Sequence, residues 1–261
     1  MKLTILIPVS DDIRIKRCIE SIDEDVEIII IFNFPSKEVK TIIKNLSEKY
    51  NLLTTEINER NLAKAYNLGT VMALNNNILL MDSDCIFEKN TIKKLQKGMD
   101  KNFLSKGRVI YQTSGFISRI IAGLRNYITV DRISAFSPPL IFSKKIKKKI
   151  KGYYFYEKLC WIEDAEFNER VQNAKVKISY DSSAVIYHDK LTLKEDLRSS
   201  YRYGTGRAIA DKEKLFKNEI RRGNSKDFLN IFKKKGFLIA SYSLVWNIFF
   251  RFGYKKEMKN N

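Results

Sequence analysis

Three cysteines and a single histidine are all the thiols and imidazoles that this 261-residue chain carries. Cys18, Cys85 and Cys160 contain no close pair and are odd in number, which excludes a disulfide framework and a zinc knuckle and fits a reducing compartment. No stretch is long and uncharged enough to read as a membrane span. The opening apolar run, Leu3 to Val9, is too short for a secretory leader and lacks a small-residue cleavage site. Internal repeats and low-complexity linkers are missing too. Acidic residues are scarce beside basic ones: 48 Lys and Arg against 30 Asp and Glu leave a formal charge of +18. That excess needs an anionic counterpart, and nucleic acid, an acidic membrane face and phosphorylated substrates all qualify. The length suffices for one large domain, or one domain with an appendage.

What is present begins with an alternation. Leu3 to Val9 reads as a buried strand and Asp12 to Ile22 as a helix with Ile15, Cys18, Ile19 and Ile22 on one face. Val26 to Phe32 is an isoleucine-rich strand; Ser36 caps a helix through Lys49; Leu52 to Thr55 is a short strand. A helix over Leu62 to Asn75, a strand Ile78 to Met81 and a helix Asn90 to Met99 complete the first hundred residues. Strands alternating with helices predict βαβ units, hence a mostly parallel sheet covered on both faces. Beyond Lys101 the pattern loosens. Val109 to Thr113, Leu140 to Ser143, Lys175 to Tyr180 and Ala184 to Tyr187 look like strands, the last two joined by a hairpin-like Asp181-Ser182-Ser183. Phe167 to Asn173 and Leu193 to Tyr203 look helical, and Gly107 to Tyr156 is irregular.

Ligands of such sheets collect at the carboxyl ends of strands, and the chemistry-bearing residues gather there. Pro8-Val9-Ser10-Asp11, Asn33 and Asp82-Ser83-Asp84 each follow a strand. Paired carboxylates at a strand tip need a partner, and a divalent cation carrying phosphate oxygens is one; taken alone, Asp-Ser-Asp reads more simply as an acidic turn. Glu163-Asp164 opens a helix, either as acids suited to the helix dipole or as a general base near a metal. His188 ends a strand and is either a packing residue or a metal ligand. Arg198 and Arg202 share one helical face, either solvated and ending at Gly204 or forked toward diphosphate oxygens.

In order along the chain these segments resemble the family 2 glycosyltransferases of the GT-A fold. The resemblance runs from Ile5-Leu6-Ile7-Pro8-Val9 through Arg60-Asn61-Leu62-Ala63-Lys64 and the Asp82-Ser83-Asp84 DxD. It continues through Glu163-Asp164 and Val185-Ile186-Tyr187-His188 to Arg202-Tyr203-Gly204. It implies an α/β, nucleotide-diphospho-sugar transferase (GT-A) fold with a mostly parallel central sheet, flanking helices and a C-terminal helical extension. The catalytic domain would span 1–206, its nucleotide-binding half 1–100 and its acceptor-binding half 101–206, with a basic tail at 207–261. The implied activity is metal-dependent, inverting transfer of a sugar from a nucleotide-sugar donor to a glycan or lipid-linked acceptor, in cell-surface polysaccharide or glycolipid assembly. Asp164 would be the catalytic base, and Asp84 and His188 the ligands of Mn²⁺ or Mg²⁺. Pro8, Ser10, Asn33, Arg60, Lys64, Asp82, Ser83 and Arg202 would bind the donor, and Trp161 and Glu163 the acceptor. Asn33 stands where relatives often carry a base-reading aspartate. Ser199-Ser200-Tyr201-Arg202-Tyr203 replaces their Gln-x-x-Arg-Trp, which favours single transfer over processive synthesis.

The tail holds 14 basic residues against 5 acidic ones. Within it, Gly236 to Phe250 is apolar and aromatic, and lysines and an arginine flank it. It is either an interfacial helix on an anionic membrane or a helix packed on the protein. The expectation is a cytoplasmic protein held peripherally on the inner face of the cell membrane. Two other function classes compete. A sugar-phosphate nucleotidyltransferase would carry a glycine- and basic-rich loop where Ser10-Asp11-Asp12 is acidic. A basic nucleic-acid-binding protein would interleave aromatic and basic residues, a pattern not found.

Overall fold

The computed structural model describes residues 2–129, 133–216 and 225–260. In chain order the elements are β1 Leu3–Val9, α1 Ile15–Glu20, β2 Glu27–Asn33, α2 Lys37–Ser47, β3 Leu52–Ile57 and α3 Leu62–Met72. There follow β4 Asn77–Leu80, β5 Cys85–Phe87, α4 Thr91–Lys97, β6 Leu104–Tyr111, α5 Phe116–Thr129 and β7 Leu140–Ser143. A short 3-10 helix, Lys144–Lys148, precedes α6 Glu163–Asn173, β8 Ile178–His188, α7 Leu193–Lys212, α8 Ser225–Lys235 and α9 Phe237–Lys259. The chain forms two compact units, one of residues 1–110 and 133–188, the other of 111–132 and 189–261. Part of the expected basic tail, 217–224, lies outside the described residues.

The first unit is built on an eight-stranded sheet in the order β3-β2-β1-β4-β7-β6-β8-β5. β1 is buried along its whole length, as a strand flanked on both sides must be. It pairs in parallel with β2 and β4, and β2 in parallel with β3, the crossovers being α1, α2 and α3. Ser36 accepts the Val39 N–H and so starts α2 where the sequence predicts. Beyond β4 the direction alternates: β4–β7, β7–β6 and β8–β5 are antiparallel. One side is therefore wound from βαβ units, and the other is assembled from strands distant in sequence.

The core beneath β4 and β7 is aromatic. Phe155 stacks on Phe167 at 5.2 Å, Tyr66 meets Phe155 at 5.3 Å, and Phe142 approaches Phe167 at 5.9 Å. Phe167 and Val171 do share the buried face of α6, together with Glu163, Glu166 and Arg170. Arg170 pairs with Glu166 at 2.8 Å and donates to the carbonyls of Ile150 and Tyr153, both at 2.9 Å. That anchors the segment before α6 to the helix.

Two expectations change. The strands expected at 175–180 and 184–187 are one strand, β8, without a hairpin between them. Asp181 accepts from the N–H and hydroxyl of Ser183 at 2.8 and 2.7 Å, and Lys94 donates to the Ser183 carbonyl at 2.6 Å. Turn-forming residues satisfied in this way leave the strand direction unchanged. The stretch read as irregular, 107–156, contains the end of β6, all of α5 and β7, and the 3-10 helix.

The second unit is helical. Thr192 and Glu195 form a reciprocal capping box that starts α7, which continues through Gly204 rather than ending there. Gly204 and Gly253 are where α7 and α9 touch. A Cβ on Gly204 would lie 1.9 Å from the Phe250 carbonyl oxygen, and one on Gly253 1.9 Å from that of Tyr201. Backbone against backbone leaves nothing flexible to give way. Gly253→Ala should therefore push the helices apart, strip contacts from buried Ala240, Trp246 and Phe250, and cost about 2–3 kcal/mol. Chemical denaturation followed by helical circular dichroism would measure it, and an unchanged midpoint would refute the close contact. A buried network crosses the same unit: Arg125 pairs with Asp196 at 2.5 Å, Tyr242 donates to Asp196 at 2.5 Å, and Arg125 lies over the Tyr203 ring.

Candidate active site

Parallel pairing brings the ends of β1, β2 and β4 to one edge of the sheet. The Met81 N–H donates to the Leu6 carbonyl at 3.1 Å, extending the β4 ladder by one bond before the chain leaves the sheet at Asp82. Three residues on, β5 begins at Cys85, directly opposite His188 in the antiparallel ladder with β8. That register joins residues far apart in sequence. His188 Nε2 lies 3.4 Å from Asp84 Oδ2, and Cys85 Sγ 3.5 Å from Asp84 Oδ1. Ligand atoms of Asp84, Cys85 and His188 all fall within 4.8 Å of one another. Burial, with Asp84 and Asp82 beside it, pushes the Cys85 thiol well up, so it stays neutral. The carboxylate and the imidazole are then the fitting ligands for a hard divalent cation. Arg14, held by Asp12 at 2.7 Å, reaches to 3.6 Å from Asp84.

Asp82 receives the Tyr66 hydroxyl at 3.3 Å. Burial and the neighbouring Asp84 and Asp164 push its carboxyl up to about 7. Asp164, in the first turn of α6, is pushed up to about 6 by burial, against the pull of the Ser137 N–H (3.3 Å) and of Lys106. Glu163, 4% exposed, is raised well above the ordinary carboxylate range by burial and by Asp164. Burial lowers Lys106 to about 7 although Asp164 and Asp82 favour its charge. Lys106 donates to the carbonyls of Phe136 and Pro138 at 2.5 and 2.7 Å, tying the loop that faces Asp164 to β6. Desolvated carboxylates that repel one another are an environment that a bound cation would relieve. One of them, titrating near 6, is suited to accept a proton near neutrality.

The remaining expected residues lie on or beside several elements. Pro8 sits in the β1 ladder opposite Ile31. Ser10 donates to the Asn33 carbonyl at 2.5 Å. Asn33 accepts the Asn61 N–H at 2.8 Å, and Asn61 caps α3 through the Lys64 N–H and donates to the Glu157 carbonyl at 2.7 Å. Arg60 and Lys64 are half-exposed and paired with Asp11 and Glu59. Ser83 and Trp161 are half-buried. Arg202 lies half-buried on α7 in the helical unit, whereas Arg198 is exposed. Tyr66, Lys106, Arg14, Asn61 and Cys85 escaped the sequence reading. A lysine inside a strand would have flagged Lys106, but the strand was expected to begin only at Val109.

Residues 5–150, more than half of the chain, match the family model described as glycosyl transferase family 2. The chain belongs to this family. It is a glycosyltransferase of the GT-A fold, as the motif order implied. In fold this family 2 member is similar to TarS 1–349 of S. aureus in complex with UDP-GlcNAc, at 17% identity and TM-score 0.60, covering 94% of this chain and 79% of that one. It is also similar to the mannosyltransferase PcManGT from Pyrobaculum calidifontis in complex with GDP-Man and Mn²⁺, at 12% identity and TM-score 0.64, covering 95% and 73%. Against a longer TarS structure it spans 99% of itself and 55% of that chain, at 14% identity and TM-score 0.57. No curated protein matches it.

Proposed function

We propose that this family 2 glycosyltransferase moves a sugar from a nucleoside diphosphate donor to an acceptor hydroxyl by a single, inverting displacement with a divalent cation bound. The carrying observation is the approach of His188 to Asp84 at 3.4 Å across the β5–β8 ladder, with Asp82 and Asp164 in the same field of charge. Mn²⁺ or Mg²⁺ on Asp84 and His188 would neutralise the diphosphate and the charge it gains on leaving. Asp164 takes the proton of the attacking hydroxyl. Its raised affinity for a proton matches that role, and the Ser137 N–H and Lys106 hold it ionised at neutral pH. Glu163 and Trp161, flanking the start of α6, position the acceptor. Asp82 and Ser83, with Pro8, Ser10 and Asn33 at the neighbouring strand ends and Arg60 and Lys64 beside them, hold the nucleotide-sugar.

The fold neighbours crystallised with UDP-GlcNAc and with GDP-Man and Mn²⁺ support a donor and a metal of this class. A glycan or a lipid-linked sugar is the acceptor, in surface polysaccharide or glycolipid assembly. Calorimetric titration of UDP and GDP with and without Mn²⁺ tests the reading. The metal should tighten one of the two at least about tenfold, since a cation held by Asp84 and His188 would offset the diphosphate charge. Affinity indifferent to EDTA would overturn it.

A further inference from the structure

We propose that α8 and α9 form a face that lies flat on an anionic lipid bilayer. α9 is apolar on two opposite sides. One stripe, Ala240, Ser243, Trp246, Phe250 and Gly253, is buried inside the helical unit. The other, Phe237, Leu244, Ile248 and Phe252 with Leu238, Val245 and Phe249 beside them, follows helical spacing and faces outward. Phe237 is 63% exposed, Ile248 50% and Phe252 61%. A helix apolar all round belongs between two covers, and an exposed apolar stripe of this length marks an interaction surface. α8, packed on α9, adds exposed Leu229 and Phe232.

Length and charge identify the second cover. Among the described residues no helix is long and apolar enough to cross a membrane, so the helix fits a position in the interface plane. Lys233 and Lys234 stand exposed at the end of α8, and Arg251, Lys255, Lys256 and Lys259 stand exposed toward the end of α9. Glu257 is the one acid in α9. A second copy laid on this face would bring like charges together, whereas acidic headgroups supply the opposite sign. Each basic residue brought to such a surface multiplies partitioning about fivefold.

Co-sedimentation of the full chain with vesicles tests this. Recovery on vesicles of one-third phosphatidylglycerol in phosphatidylcholine should exceed recovery on phosphatidylcholine alone at least about tenfold, and added salt should lower it. The double variant Leu244→Glu/Ile248→Glu should lose at least about tenfold in partitioning while keeping its helical circular dichroism. Lys255→Glu/Lys256→Glu, altered at exposed positions near the end of the helix, should lose binding to the acidic vesicles by a similar factor. Equal recovery on both vesicle types, no recovery on either, or variants that bind as the parent does would each overturn the proposal. So would a parent protein that sediments as a dimer and a Leu244→Glu/Ile248→Glu protein that sediments as a monomer, because a second copy would then be the cover. Nucleotide binding is measured separately, so failure here leaves the sugar-transfer reading standing.

Discussion

Asp164→Asn should cut sugar transfer about a thousandfold, within the range that a positioned general base contributes. Metal-dependent nucleoside diphosphate binding should stay within about threefold of the parent, because the substitution leaves Asp84 and His188 in place. Single-turnover kinetics beside calorimetry separates the two effects. Unimpaired turnover would remove Asp164 as the base. The parent enzyme should show the matching pH dependence. Burial lifts the Asp164 carboxyl to about 6, so the proposed base should be protonated and transfer should fall as pH drops through that value. A bound cation can only move this limb downward.

The same shift carries a consequence for stability, opposite in sign to that for activity. The folded-state affinity of Asp164 for a proton is above its unfolded value, so the cost to folding is absent below about pH 4, grows as pH rises from there, and is fully developed above about 6. The asparagine variant escapes this cost. At pH 8 and without metal it should be more stable than the parent by on the order of 2 kcal/mol, and the advantage should vanish below about pH 4. Thermal unfolding at the two pH values measures it. A variant that loses activity and gains stability is what a residue held in place for chemistry predicts; a structural carboxylate would lose stability on substitution.

Asp84→Ala should abolish both transfer and Mn²⁺-dependent nucleotide binding. Asp84 is where Cys85, His188 and Arg14 converge, and it is the carboxylate of the Asp84, Cys85 and His188 cluster. Loss of one of the two proposed protein ligands should weaken the metal by at least about a hundredfold, beyond what outer-shell changes produce. Calorimetry with Mn²⁺ alone reads this without reference to turnover. Retained metal affinity would transfer the cation to a different set of residues. Its contrast with Asp164→Asn, expected to keep binding and lose transfer, would divide the cluster into a part that holds the donor and a part that activates the acceptor.

Most of the early elements were legible because the signals are local, although α1 begins at Ile15 rather than Asp12 and the three-residue β5 was not anticipated. A β1 of seven buried residues, the Ser36 cap of α2 and the acids following β4 are all read from neighbours along the chain. Parallel pairing then follows from short strands with helices between them, and it brings Asp82 to the edge that Ser10 and Asn33 share. Where pairing partners are distant, local signals mislead. Asp181-Ser182-Ser183 has the composition of a turn and lies within a strand, and Gly204 has the composition of a helix end and lies at a helix crossing.

From sequence alone came the αβ alternation, the GT-A resemblance, the acids and histidine at strand ends, and an apolar tail edged with lysines, since periodicity of burial and composition are properties of consecutive residues. Only the tertiary structure decided that Cys85 stands opposite His188, that Tyr66 and Lys106 reach the acid cluster, and that α9 packs one apolar side and leaves the other uncovered. Those depend on strand register and helix packing, which the summed contacts of distant residues determine and no short window of sequence contains.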